Sequence, residues 1–256
     1  MSGSITAFDS SGNGRDATMS PGGSKTTVYR TAGLVAGDYA VLSGGPGVSV
    51  SDPWVSIDAF AGGVNASADF SVICWVEAPP AYAGLGVTAH IYVSANVLGS
   101  GCELNPIWQD GSVQFGFPSF SAQTWQSVTG ILNPDGNPHF VAITFTYATQ
   151  VANLYVDGSL ITWTHTGSVL NNDPTLASFY IDIPSGGPCC QVTDEFATFR
   201  SVLSGSDIST LYSAGLAGFS TWNSAVLALS PYAFYHLNEG APLPTGWHIG
   251  EIAMGG

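Results

Sequence analysis

Basic residues are nearly missing from this chain: four Lys and Arg stand against eighteen Asp and Glu in 256 residues, a net charge of −14 with histidine neutral. Displacing counterions from phosphates needs a basic footprint, so nucleic-acid binding is not expected. Attraction to anionic lipid is opposed by the same sign of charge. Charge of either sign is scarce: charged residues make up 9% of the chain, against roughly 25% in an average soluble protein. Long apolar runs are also lacking. No stretch approaches the ~18 uninterrupted apolar residues of a membrane span, and even residues 140–156 are broken by Thr144, Thr146, Gln150 and Asn153. The first nine residues carry neither a positive n-region nor an apolar h-region, so the expectation is a chain made without a secretory leader. Nor do the four cysteines form a CxxC…CxxC zinc pattern.

What is present points to a folded, turn-rich protein. Hydrophobic residues make up 45% and aromatics 12%, and the mean hydropathy is +0.24; a disordered chain would show the opposite. The 32 glycines and 15 prolines are aperiodic and suit many tight turns. The length fits one large domain or two small ones. Cys74 lies in the apolar run Phe70–Val76 and reads as a buried small hydrophobe. Cys102 and the vicinal Cys189 and Cys190 sit in Gly/Pro-rich loops, where a bridge from Cys102 to one of the pair is left open.

Short β-like runs dominate the chain. Tyr39–Leu42, Trp54–Ile57, Phe70–Val76, His90–Val93, Val113–Phe117, His139–Tyr147, Asn153–Val156, Ser159–Thr164, Ser178–Ile183 and Asp194–Phe199 all read as strands between Asp-Gly, Asn-Gly, Gly-Pro and Pro-Asp turns. Asp157-Gly158 fits a two-residue type I′ hairpin. The fold class expected is all-β, an antiparallel sandwich or jelly roll. Helix is expected only late: Ser204 to Asp207 can cap Ile208–Ser213 behind the staple residue Leu203. A second run begins at Thr221, places Trp222, Ala225, Val226 and Leu229 on one face, and ends at Pro231. A strand-like stretch, Tyr232–Asn238, follows the helices.

Four segments occur in a characteristic order: Asp9-Ser-Ser-Gly-Asn-Gly-Arg-Asp16, Phe70–Val76, His139–Phe145 continuing to Leu154–Leu160, and Asp194–Phe199 with Leu203–Tyr212. This succession resembles the laminin-G-like, concanavalin A-like jelly-roll family over about Asp9–Gly215. The resemblance implies two packed antiparallel sheets of about six or seven strands each. It also exposes a displacement. In that family an aromatic-x-Leu-Asn/Asp-Glu strand precedes the Asp-Ser-Ser-Gly-Asn-Gly segment, whereas here only Met1–Phe8 precedes it, and Ser230–Glu239 carries the missing pattern at the other end. The expected organisation is therefore a jelly roll over residues 1–217. Residues 218–256 would add a helix and a C-terminal strand completing the same sheet. Filling in cis, as in a circular permutation, is favoured over exchange with a neighbouring copy. A truncated tandem repeat is the plainer alternative.

Each candidate site has a competing structural role. Glycoside hydrolases on such folds need two carboxylates flanking the scissile bond, and this chain has no Glu-x-Asp-x-x-Glu strand: Asp38, Asp52, Asp110, Asp135, Asp157 and Asp173 lie in turns, and Glu77 and Glu103 are isolated. No Gly-x-Ser-x-Gly elbow occurs. His90, His139, His165, His236 and His248 form no HxH or HExxH pair, and His139 and His236 read as structural. The resemblance implies that Asp9, Asn13 and Asp16 hold a structural Ca²⁺ with Asp194, or Glu195, from another segment; the competing role is a turn closed by its own side chains. Trp108, Trp125, Trp163 and Tyr82 lie in or beside loops and are the candidates for stacking on a sugar, while Trp54 and Trp75 are assigned to the core.

The resemblance implies a non-catalytic module on the surface of a virus particle, a bacteriophage minor tail or capsid-decorating protein. Its partners would be other virion proteins, copies of itself or host-surface glycan. A free carbohydrate-binding lectin module is the alternative reading, and a divergent glycoside hydrolase the third.

Overall fold

The computed structural model describes residues 5–21, 29–42, 55–58, 68–77, 89–95, 102–107, 113–117, 124–128, 135–149, 151–162, 164–166, 178–181, 192–239 and 241–242. The strands are β1 (Ile5–Ala7), β2 (Ala17–Pro21), β3 (Tyr29–Ala32), β4 (Tyr39–Leu42), β5 (Val55–Asp58), β6 (Phe70–Glu77), β7 (Ala89–Ala95), β8 (Cys102–Ile107) and β9 (Val113–Phe117). There follow β10 (Thr124–Val128), β11 (His139–Thr146), β12 (Val151–Val156), β13 (Ser159–Ile161), β14 (Thr164–Thr166), β15 (Ser178–Ile181) and β16 (Val192–Phe199). Helices α1 (Gly205–Leu216) and α2 (Phe219–Ala228) come next, then β17 (Ala233–Tyr235) and β18 (Ala241–Pro242). The fold is all-β with two short helices near the C-terminus, as the turn-punctuated pattern implies. None of the described helices is long and apolar enough to cross a membrane.

The larger sheet runs β13-β12-β11-β6-β16-β4-β3-β18, with β17 also paired to β16; a second sheet runs β14-β10-β9-β8-β7-β15, and a small one β1-β2-β5. All pairings are antiparallel except β18 with β3. The arrangement is less even than two sheets of six or seven. Two hairpins, β3/β4 and β12/β13, lengthen the larger sheet at its flanks, and the C-terminal strands add to it. The turn between β12 and β13 has Asp157 at φ 49° and Gly158 at φ 75°, the double positive φ that a type I′ hairpin requires.

The strands at the centre of the larger sheet are buried on both faces, which is why β6 and β11 read as mostly apolar runs, while β16 also buries Thr193, Asp194, Glu195 and Thr198. In β6 every residue from Phe70 to Val76 is buried, and β16 is buried throughout. Cys74 is buried and free, with burial pushing its thiol up to about 12. Trp75 is 2% exposed. Its ring meets Trp222 edge-on at 6.1 Å and Tyr212 in a stack at 5.9 Å. Helix α1 lies against this tryptophan through Gly215, where a Cβ would stand 2.3 Å from Trp75 Cζ2. The helix starts where the sequence indicates: the Ser204 hydroxyl accepts from Asp207 N, and the Asp207 carboxylate accepts from Ser204 N.

The C-terminal strand sits inside its own chain. Ala233, Phe234 and Tyr235 of β17 are fully buried and pair with Thr198, Ala197 and Phe196 of β16. The N-terminal turn closes on the same strand: Asp9 bridges to Tyr235, Ser10 N donates to Phe234 O, and Phe8 N donates to Glu239 Oε1.

Candidate functional site

Two clusters of chemically able side chains meet along this seam. The first lies beneath the surface. β16 bulges between Asp194 and Ala197, and Glu195 takes a positive φ of 54° there, which turns its side chain away from the regular strand alternation. Asp194 and Glu195 are both fully buried. Glu195 Oε2 accepts from Trp222 Nε1, and His236 Nδ1 lies 2.9 Å from Glu195 Oε1. Asp38, in the turn between β3 and β4, accepts from Asn238 Nδ2 at 3.0 Å. Burial first, then hydrogen bonding to Asp38, pushes the Glu195 carboxyl well above the usual carboxylate range. Burial also raises Asp194 well above that range, against the pull of the Val35 and Leu34 amides on Asp194 Oδ2. Burial lowers His236, which packs edge-on between the rings of Phe234 and Phe219 at 4.5 and 4.9 Å. Asp38, Glu195 and His236 each bring a ligand atom within 4.8 Å of the others, and among the described residues they form a group that could hold a metal ion. Two further oxygens, Asp194 Oδ1 and Glu239 Oε2, are buried without a hydrogen-bond partner.

The second cluster opens to solvent. A cavity of about 520 Å³ lies where the Asp9–Asp16 turn, the end of β16 and the entry to β17 meet, bordered by Ser11, Asn13, Arg200, Ser201, Ser230 and Tyr232. Tyr232 carries two guanidiniums on its ring, Arg200 at 3.5 Å and Arg15 at 3.9 Å from the centroid. Arg15 Nη1 donates to Tyr232 O at 3.1 Å, and Arg200 Nη2 donates to the Tyr232 hydroxyl.

The residues expected to hold calcium are divided between two places. Asp9 Oδ1 accepts from Ser11 N and Phe234 N, Asp9 Oδ2 from Arg15 N, and Asp16 Oδ1 from Asp9 N. Asn13 Nδ2 donates to the carbonyls of Pro231 and Tyr232. These bonds hold the turn against the C-terminal strand, with Gly12 and Gly14 at positive φ. Asp194 is committed to Leu34 and Val35 instead, and Glu195 to Trp222 and His236. Of the tryptophans considered for sugar stacking, Trp125 lies on β10 opposite Gly116 and Thr166. Trp108, Trp163 and Tyr82 lie outside the described residues, as do Trp54, Cys189 and Cys190; Cys102 begins β8. His139 opens β11 and is held by Asp157, 2.9 Å from its Nδ1, a partner that raises its pKa.

No family model matches the chain, and no curated protein does. Solved structures do match in shape. The binding domain of botulinum neurotoxin serotype D aligns at a TM-score of 0.57 and 15% identity, covering 82% of this chain and 50% of that one. The serotype G binding domain aligns at 0.57 and 18%, with the same coverage. The binding domain of Paraclostridial Mosquitocidal Protein 1 aligns at 0.51 and 14%, covering 81% and 50%. This chain spans about half the length of those domains, and at such identities the likeness is one of fold.

Proposed function

We propose that the chain is a non-catalytic binding module that attaches its carrier to a ligand on a host surface. The observation that carries this reading is the shared fold: three structures matched over most of this chain are named as binding domains. The carboxyl groups with strongly perturbed pKa values would ordinarily suggest catalysis. Here Asp194 and Glu195 are fully buried and bonded to backbone amides, an indole and an imidazole, which fits a role in holding the fold.

The carrier we propose is a virus particle, the chain standing as a tail or capsid-surface protein of a bacteriophage. Support comes from the laminin-G-like order of motifs and from a composition with only 9% charged residues, which suits contact with neighbouring subunits or an uncharged sugar. Mass spectrometry of purified particles from a host that carries the gene tests this. The expected result is the full chain in intact particles at fixed stoichiometry. Its recovery only as free protein in the culture would leave the lectin reading in place of the virion one.

A further inference from the structure

We propose that the cavity beside Tyr232 is a binding site for an acidic sugar, with Arg200, the one basic residue on its lining, receiving a carboxylate or sulfate oxyanion on the sugar ring. The inference rests on the binding-module reading and names the ligand class for one place on it. Two of the four basic residues in a chain of net charge −14 converge on one aromatic ring. Among the described residues neither guanidinium has a carboxylate partner, since the ion pairs there involve only His139 and His236. Two guanidiniums on one ring raise the positive potential there; the ring offsets part of their repulsion, and an anion received by Arg200 in the cavity would offset more.

Both guanidiniums are already positioned. Arg15 is anchored through Tyr232 O, and Tyr235 donates its hydroxyl proton to Arg15 O. Arg200 is exposed and held at the Tyr232 hydroxyl. A guanidinium has five N–H donors in a planar fork suited to carboxylate and sulfate. One Arg200 donor is spent on Tyr232, which leaves the others for a ligand with little ordering cost. The acids nearest in sequence are held within the turn and make no ion pair with either guanidinium: Asp9 accepts from the amides of Ser11, Arg15 and Phe234, and Asp16 from Asp9 N.

The remaining lining suits the rest of a sugar. Ser11, Ser201 and Ser230 bring hydroxyls, which both donate and accept, and Leu229 gives an apolar patch for a ring face. A volume of about 520 Å³ falls within the ordinary range of small-molecule sites, roughly 300–1,000 Å³. A nucleic acid or an anionic bilayer would offer oxyanions too, but the overall charge of −14 repels any extended polyanion. A single charged ring avoids that opposition.

Ligand-observed NMR on the full chain tests the proposal with three probes: methyl glucuronoside, methyl glucoside 6-sulfate and neutral methyl glucoside. An array of neutral and acidic glycans is run on the same preparation. The expected result is binding of one or both acidic probes, at least about tenfold tighter than the neutral one, with about tenfold loss in Arg200→Gln. The carboxylate and sulfate arms tell the two oxyanions apart. Arg200→Lys keeps the charge but not the fork and should weaken binding severalfold, so a folded comparison exists even if Arg200→Gln is unstable. Equal binding of neutral and acidic probes, or acidic binding unchanged in both variants, overturns the site while leaving the binding-module reading intact. Retention of no glycan on the array together with no probe binding overturns both.

Discussion

Removing the chain from Ser230 onward is expected to leave a protein that does not fold. β17 is only three residues long, yet Ala233, Phe234 and Tyr235 are fully buried, as is Leu237. Truncating a buried Phe to Ala alone costs about 3–5 kcal/mol, and a whole domain is stable by about 5–15 kcal/mol. Loss of two buried aromatics and a leucine therefore reaches the total. The backbone of β16 would lose its partners at Phe196 to Thr198, and the N-terminal turn would lose the Phe234 amide that binds Asp9 and the Pro231 and Tyr232 carbonyls that bind Asn13. Far-ultraviolet circular dichroism, dye binding and urea titration read the outcome: no cooperative transition, exposed apolar surface and aggregation from the bared sheet edge. A truncated chain unfolding at the midpoint of the full one would contradict it. A synthetic peptide of residues 230–242 added during refolding should restore the transition. Since the strand pairs within its own chain, the intact protein should also elute as a monomer of 26.4 kDa; a strand-exchanged assembly would elute as a multiple of it.

The second large effect centres on Glu195. Its carboxyl is fully buried beside Asp194, under the Trp222 indole and the His236 imidazole. Burial and Asp38 hold it protonated well above the usual range. An acid whose pKa is raised on folding contributes stability that is fully present below its ordinary pKa and is lost as pH rises through the raised value. Asp194 and His139 act in the same sense: Asp194 is raised by burial, and His139 by Asp157, so its contribution fades above the ordinary histidine range. His236 and Asp9 act oppositely. Burial lowers His236, and the hydrogen bonds of the turn outweigh burial to lower Asp9, so both contributions are lost as pH falls.

Glu195→Gln replaces the protonated carboxyl with a neutral group of the same shape. It should leave stability near pH 5 little changed and raise it near pH 8, flattening the alkaline decline. Glu195→Leu should cost about 3–5 kcal/mol, because the Trp222 N–H and the His236 ring nitrogen lose their partner in the interior. Urea midpoints across that range decide between them. A wild-type midpoint that rises toward alkaline pH, or a Gln variant that declines in parallel with it, would contradict a buried neutral Glu195.

How much of this is legible in the residues follows from burial and distance along the chain. β6 and β11 are mostly apolar runs because both faces of the larger sheet are covered there, and they can be read almost to the residue, while β16 is bounded by its apolar Phe196–Phe199 half despite the buried Asp194 and Glu195. Val151 and Ala152 extend β12 beyond the legible Asn153–Val156. The run Ser159–Thr164 is two strands, β13 and β14, in different sheets, a division that local alternation does not register. β2 ends in Pro21 and β8 contains Pro106, residues that normally argue against a strand. β10 carries Thr, Gln and Ser and lacks an apolar signature. β18 is two residues in a parallel pair that only the closed fold can form.

The sites divide the same way. The Asp9–Asp16 turn is legible as a local motif, and the displaced Ser230–Glu239 pattern marks in the sequence the segment that its side chains bind. The meeting of Asp38, Glu195 and His236 is not legible there, since the three lie on separate elements and the bulge in β16 breaks the side-chain alternation at Glu195. Arg15, Arg200 and Tyr232 are likewise far apart in sequence. The available signal was scarcity: with four basic residues in the chain, each one carries weight, and two of them flank the segments that form the seam.

The central claim is binding without chemistry. Its most direct test is incubation of the intact protein with an immobilised panel of neutral and acidic glycans, reading retained protein and the mass of every glycan in the same run. The account predicts retention on at least one glycan, with all glycan masses unchanged after prolonged incubation. A shortened or desubstituted glycan, or no retention on any of them, would contradict it.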